Sequence, residues 1–307
     1  TQKRSRKTSL RKTDTKSSKV VKMRDCISVS SNYRRLLFSI MVVYIFGSCQ
    51  LAVASQYQFQ GSFKQGGLLL GKVPADSRVI YQGDTLKLSA QGDFLLGFGR
   101  DAPATVELTI LDHQAKPHTE TLTVAPRTYV TQRIEGVPQK TVTPSATDLD
   151  RIRNDALLVR AARNQETENT DFMEGFIQPL VGPITGVYGS QRVYNGVPGR
   201  PHYGIDYAAP TGTTVQAPAA GLVTLAHKDL FHSGGTLIID HGHGLSSTFL
   251  HLSELLVAEG QRVNRGQSIA KVGATGRATG PHLDWRMNWR KERIDPQLVL
   301  KTLPVHQ

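Results

Sequence analysis

His202-Tyr203-Gly204-Ile205-Asp206 decides the reading of this chain, because two further stretches answer it downstream. His251 stands in Phe249-Leu250-His251-Leu252-Ser253, and His282 and Asp284 stand in Pro281-His282-Leu283-Asp284-Trp285. All three are short, strand-like pieces of one glycine-rich region, and each carries imidazole or carboxylate. A borderline cation such as zinc takes imidazole nitrogen and carboxylate oxygen in a tetrahedral set with one position open. Hydrolysis needs a further group nearby to move protons. The region supplies candidates for both: His202, Asp206 and Asp284 as ligands, His251 and His282 as proton-handling groups. Any one of these histidines alone reads as an ordinary hydrogen-bonded imidazole. The combination points to a metal.

Around these pieces, the runs 213–217, 221–226, 236–240, 247–251, 268–272 and 282–286 alternate with Gly-, Pro- and Asn-rich turns and read as strands. Residues two apart on a strand share a face, which places Asp284 and Arg286 beside His282 and gives Trp285 and Trp289 a core role on the other side. His241 and His243, in Asp240-His241-Gly242-His243-Gly244, read as turn residues, exposed or bonded to the backbone, and not as a second metal site.

The motifs also come in a telling order. Gly189-Ser190-Gln191-Arg192 precedes His202-x-x-x-Asp206, and Ala208-Ala209-Pro210-Thr211-Gly212 and Ala217-Pro218-Ala219-Ala220-Gly221 follow it. Then come Asp240-His241-Gly242, His251-Leu252-Ser253 and Thr279-Gly280-Pro281-His282-Leu283. Over about residues 180–300 this series resembles the lysostaphin/LytM-type metallopeptidases, which cut peptide bonds in bacterial peptidoglycan. The resemblance implies a compact antiparallel sheet with one zinc ion at the floor of a groove. It makes His202 and Asp206 the first two ligands, His251 the residue that orients water or polarises the transition state, and His282 the general base. The family's third ligand is a histidine, and Asp284 stands in its place. A carboxylate oxygen reaches as far from Cβ as imidazole Nδ1, so a His-Asp-Asp set remains feasible. Two anionic ligands tilt selectivity toward harder cations without forbidding zinc.

By the same resemblance, Tyr188, Gln191, Arg192 and Asn195, just ahead of the first ligand, are expected to contact substrate, while Arg286, by its cleft-facing parity, is expected either to contact substrate or to pair with Asp284. The implied partners are peptidoglycan stem peptides or cross-bridges, lying extended in the groove. Two other functions compete: a catalytically inactive module that binds cell wall or activates amidases, and a metallopeptidase acting on a non-wall protein.

The first 54 residues read differently. Residues 1–22 are rich in Lys, Arg, Ser and Thr and read as a disordered basic segment, with Met23 as the expected translation start. From there a basic stretch ending Arg34-Arg35, an apolar run from Leu36 to Gly47 and Ala52-Val53-Ala54 form a signal peptide over 23–54. The apolar run is short for a membrane span, so membrane contact is expected only transiently, on the way to the periplasm. Cleavage after Ala54 removes both cysteines, Cys26 and Cys49. It also removes most of the charge excess. The chain holds 37 basic and 25 acidic residues, of which residues 1–54 hold 12 and 2, leaving a formal +2 for 55–307. A nucleic-acid partner is excluded on that balance.

Residues 55–307 are long enough for two ordinary domains. Short apolar runs at 68–73, 78–81, 85–89, 94–98 and 106–110 predict a small accessory β-sandwich over 55–135, with His113 and His118 in a polar turn. Residues 136–175 read as a linker with one amphipathic helix from Asp148 to Asn164, ending in a polar hinge or linker at 165–174. The sheet domain with the metal groove fills 176–300, and 301–307 is a tail. The expected fold class is mostly β.

Overall fold

The structure is a computed structural model that describes residues 57–305. The expected basic segment, the signal peptide and both cysteines lie outside the described residues.

The chain is mostly β. The N-terminal layer begins with β1 (Gln58–Gly61), β2 (Leu68–Lys72), β3 (Arg78–Tyr81), β4 (Asp84–Thr85), β5 (Asp93–Gly97), β6 (Thr105–Leu111) and β7 (Pro117–Thr123). These form two antiparallel sheets, in the orders β1-β2-β5 and β4-β3-β6-β7. β6 alternates Val106, Leu108 and Ile110 inward with polar residues outward, the period-2 pattern of a half-buried strand. β7 was not foreseen. Its seven residues hold five polar side chains, and His118 sits in that strand beside Glu120, with His113 in the preceding turn.

β8 (Thr131–Ile134) then leaves this layer and pairs in parallel with β10 (Gln191–Tyr194), whose other edge carries β11 (Val197–Pro198). Between β8 and β10 come the short helix α1 (Gln139–Val142) and the long helix α2 (Ala146–Arg163). A capping box starts α2: the Ser145 hydroxyl accepts from the Asp148 N–H, and the Asp148 carboxylate accepts from the Ser145 N–H. The helix falls where its sequence pattern predicts, but it docks along a narrow stripe. Ala162 and Val159 pack on Leu225, Leu230 and Ile238, while Leu149 and Leu157 stay 42% and 61% exposed. The polar segment 165–174 that follows is tied to the sheet domain. Glu166 pairs with Arg290 at 2.7 Å, the Thr167 hydroxyl donates to Asp240 at 2.5 Å, Asp171 pairs with Arg262, and Phe172 is buried.

The C-terminal part is built on one eight-stranded sheet. Its path runs β18 (Arg262–Val263), β14 (Gly221–Leu230), β15 (Gly234–Asp240), β16 (Leu245–Leu252), β20 (His282–Trp289), β12 (Gly204–Ala208) and β9 (Ile184–Gly186), with β21 (Glu292–Ile294) paired to β20. A small side sheet joins β13 (Thr214–Gln216), β19 (Ser268–Lys271) and β17 (Glu254–Leu255). Helix α3 (Pro296–Thr302) follows, capped by the Asp295 carboxylate. One apolar core runs from Leu68, Phe94 and Ile110 of the N-terminal layer through to Phe249, Trp285 and Met287 of the large sheet. The odd-numbered face of β20 is therefore covered by the N-terminal strands, and the even-numbered face is left for the site.

No helix of the described residues is long and apolar enough to cross a membrane.

Candidate metal centre

β20 and β12 run antiparallel with Asp284 directly opposite Asp206 and Arg286 opposite Gly204. Two carboxylates facing each other across a ladder repel, and both are buried, so this register is costly unless cations meet them. Cations do. Arg192 of β10 bonds Asp206 Oδ2 at 2.5 Å, and Arg286 clamps Asp284, with Nε at 2.9 and 3.1 Å from the two oxygens and Nη2 at 2.6 Å. His202 enters from the loop before β12, its N–H bonded to the Ser190 carbonyl and its carbonyl to the Gly189 N–H. This exchange fixes the imidazole above both carboxylates. Nε2 lies 3.1 Å from Asp206 Oδ1, and Nδ1 lies 3.9 Å from Asp284 Oδ2.

His202, Asp206 and Asp284 each offer one ligand atom, and the three atoms lie within 4.8 Å of one another. His202 Nε2 and Asp206 Oδ1 are buried without an aligned hydrogen bond, although they face each other. That is the expected state of two lone pairs aimed at a common point. A tetrahedral zinc ion with ligands at ~2.0–2.1 Å separates them by roughly 3.4 Å, close to the spacing seen. Arg286 gives Asp284 Oδ1 a single donor, which leaves that oxygen a second lone pair. The residues fit a metal.

Burial alone raises a carboxylate, yet Asp206 is held well below the usual range, because His202, Arg192 and His282 outweigh the loss of water. Asp284 is likewise held down against burial, by Arg286 first and then His202. Both are ligands in their anionic form. Room for them comes from missing side chains. A Cβ on Gly204 would stand 2.6 Å from Asp284 Oδ1 and from Arg286 Cγ, and one on Gly186 would meet Asp206 Oδ2.

His251 arrives by another device. Its odd number puts it on the apolar face with Phe249 by simple alternation. Between Gly235–Leu252 and Leu237–Phe249 the register slips, so β16 carries one residue more than β15. His251 sits in this bulge with φ of 65°, a left-handed conformation uncommon outside glycine. The bulge turns the ring into the site, where its centroid lies 4.8 Å from that of His282. Carbonyls fix both tautomers. His251 Nδ1 donates to Thr275 O at 2.7 Å and His282 Nδ1 to Gly280 O at 2.8 Å, which leaves each Nε2 as the acceptor in the neutral ring. Burial depresses His251 to about 4, only partly offset by Asp284. It is neutral at physiological pH.

The site opens into a cleft of about 1230 Å³ that His202, Asp206, His251, His282, Asp284, Arg192 and Arg286 all line. Of the other residues expected at the substrate, Tyr188 is buried and donates to the Arg293 carbonyl at 2.6 Å. Gln191 donates to the Gly199 carbonyl, and Asn195 to Val137 O and Gln139 Oε1. These three spend their donors on the protein itself. The cleft also collects Arg133, Arg200, Arg277 and Arg293, which the sequence pattern did not single out. Only Arg200, two residues before His202, had a positional signal. Both turn histidines are buried: His241 bonds the Ala220 carbonyl and Ser247 Oγ, and His243 packs on Phe172.

Residues 200–296 match the family described as Peptidase family M23. Among curated proteins, the peptidoglycan DD-endopeptidase ShyB of Vibrio cholerae is 43% identical over 95 residues, which are 31% of this chain and 22% of that protein. The DD-carboxypeptidase/endopeptidase Mpg of Neisseria meningitidis is 40% identical over 105 residues, 34% of this chain and 24% of that protein. The chain thus spans less than a quarter of either relative's length. Among solved structures, a putative peptidase M23 from Pseudomonas aeruginosa shares 29% identity and a TM-score of 0.63, covering 80% of this chain and 97% of that one. That likeness extends the shared fold well beyond the matched segment.

Proposed function

We propose that this chain, whose residues 200–296 match peptidase family M23, is an exported zinc metalloendopeptidase that hydrolyses peptide cross-links of bacterial peptidoglycan. The observation that carries the reading is the buried His202-Asp206-Asp284 group at the floor of a cleft, with His202 Nε2 and Asp206 Oδ1 3.1 Å apart without an aligned hydrogen bond and two tautomer-fixed histidines beside it. A zinc ion held by these three residues supplies Lewis acidity, polarising the scissile carbonyl and acidifying water. The residues do the rest. His282 Nε2 accepts a proton from the attacking water and returns it to the leaving amine. His251, neutral and aimed by Thr275, presents Nε2 as an acceptor that orients the attacking water through its O–H. Arg192 and Arg286 keep both acidic ligands ionised and in place.

The names of the curated relatives support peptidoglycan as the substrate, and the basic and apolar leader at 23–54 supports delivery to the periplasm. The test is metal content of the purified chain beside Asp284→Ala and His282→Gln, with digestion of purified sacculi on the same samples. Near one zinc per chain and released muropeptides are expected in the parent. Asp284→Ala loses both. His282→Gln keeps the metal and loses about 10²–10⁴ in turnover. A parent that takes up no added zinc and releases nothing would instead mark a non-catalytic wall-binding module.

A further inference from the structure

The even-numbered face of the large sheet carries more positive charge than the metal site needs. Arg293 on β21 and Arg200 in the loop before His202 line the cleft next to Arg286. Arg293 Nη1 donates to Asn288 Oδ1 at 3.1 Å, and its guanidinium carbon lies 6.0 Å from the centre of the Tyr203 ring. A fourth guanidinium comes from outside the segment that matches the family. Arg163, at the end of α2, donates from Nη2 to Thr248 Oγ1 at 3.1 Å, and Thr248 is the register partner of Arg286. Arg163 Nε is buried and has no hydrogen-bond partner.

Asp284 is the carboxylate in contact with this group, and Arg286 already holds both of its oxygens. Among the described residues, Arg163, Arg200 and Arg293 make no ion pair. Burial and the neighbouring guanidiniums depress Arg293 to about 10 and push Arg163 well down from its ordinary value. Cations crowded in a desolvated place destabilise one another, and an arriving anion relieves that cost where a neutral group does not. The planar fork of arginine suits a carboxylate, which it can take with two parallel bonds.

We infer that the cleft contains a carboxylate subsite centred on Arg293, flanked by Arg200 and Arg286 and backed by Arg163, which selects peptides bearing an ionised carboxylate near the scissile bond. The inference takes its ligand class from the peptidase reading above. It adds a chemical requirement that the metal centre alone does not impose, namely negative charge on the substrate. Arg163 acts through its neighbours as a positioning residue. It ties α2 to the subsite, so the part of the chain ahead of the matched segment contributes to substrate choice.

The test compares purified sacculi with sacculi whose carboxylates have been converted to amides by carbodiimide and ammonia. Binding and muropeptide release are measured for the full zinc-supplied chain and for Arg293→Gln, Arg293→Lys and Arg200→Gln. Wild type is expected to favour the native sacculi on the order of tenfold or more, the weight of a charge-assisted contact. That ratio should collapse toward one in Arg293→Gln and survive in part in Arg293→Lys. Arg200 is exposed, so its variant gives a folded reading even if Arg293→Gln does not fold, and it should also shrink the ratio. Equal binding of the two forms by wild type overturns the subsite, whatever the cleavage result. Preferential binding of native sacculi without cleavage of either form keeps the subsite and removes the hydrolase reading.

Discussion

The two faces of strand β20 show how one run of eight residues can serve two incompatible environments. Leu283, Trp285, Met287 and Trp289 point into the core shared with the N-terminal strands and are essentially unexposed. His282, Asp284, Arg286 and Asn288 alternate with them on the cleft side, where Asp284 and Arg286 neutralise each other. The apolar face stabilises by area removed from water and tolerates small shape changes. The polar face is costly in itself, and its worth lies in geometry: each buried charge must meet its partner or a ligand. Stability and site chemistry therefore separate by parity, and substitutions should separate the same way.

The largest effect is expected from Trp285→Ala. It empties a fully buried position and should cost ~3–5 kcal/mol in denaturant unfolding. Zinc affinity should follow only as far as the fold weakens, and a variant that loses zinc while keeping its melting temperature would break the division between the faces. Gly204→Ala should do the reverse. The new methyl would press on Asp284 Oδ1, Arg286 Cγ and the Trp285 carbonyl at 2.6 Å, so zinc stoichiometry should fall sharply, with a smaller stability loss of about 1–3 kcal/mol.

The smallest effect sharpens the comparison with a buried histidine that serves structure alone. His241 is depressed to about 4 by burial, so below its unfolded value near 6.5 the unfolded chain binds a proton that the native chain refuses. Its contribution is complete above about pH 6.5 and is lost as pH falls toward 4. Asp240 works the other way, since burial raises it to about 6 and the native state takes the proton first on acidification. The stability gap between wild type and His241→Gln should thus narrow steadily between pH 7 and pH 5 in thermal melts. A constant gap would show that His241 is not held neutral.

Much of this was legible in the sequence for a plain reason: alternation is local. Spacing by two put Asp284 and Arg286 beside His282, and His202-x-x-x-Asp206 marked the other half of the centre. The strands of the large sheet fall close to their expected places. What the pattern could not reveal depends on register between distant segments. The bulge that turns His251 inward is a mismatch of two strands, invisible in either one. Tyr188 bonds the Arg293 carbonyl on β21, and Asn195 bonds Val137 and Gln139 beside α1, partners that lie far away along the chain. Arg163 and Arg293 lie 130 residues apart and meet only through the folded sheet. Helix α2 shows the opposite failure: it forms close to its expected place, yet its apolar residues do not gather on one face, and Ala162 is buried while Leu149, Leu157 and Leu158 stay exposed.

The packing of the first described strands on the last ones also dictates an order of events during synthesis. Thr302 donates its hydroxyl to the Leu68 carbonyl, Asp295 bonds the Gly66 carbonyl through its N–H and pairs with Arg127, and Trp289 lies against Gly97. The N-terminal layer leaves the ribosome well before β20, β21 and α3 exist, so its inner apolar face waits unfinished for about two hundred residues of growing chain. Contacts of such sequence separation form slowly, and the waiting surface is one that adheres to other chains. Folding of this layer is closed only when β20, β21 and α3 arrive, and the interval before that closure is when a chaperone has the most to protect.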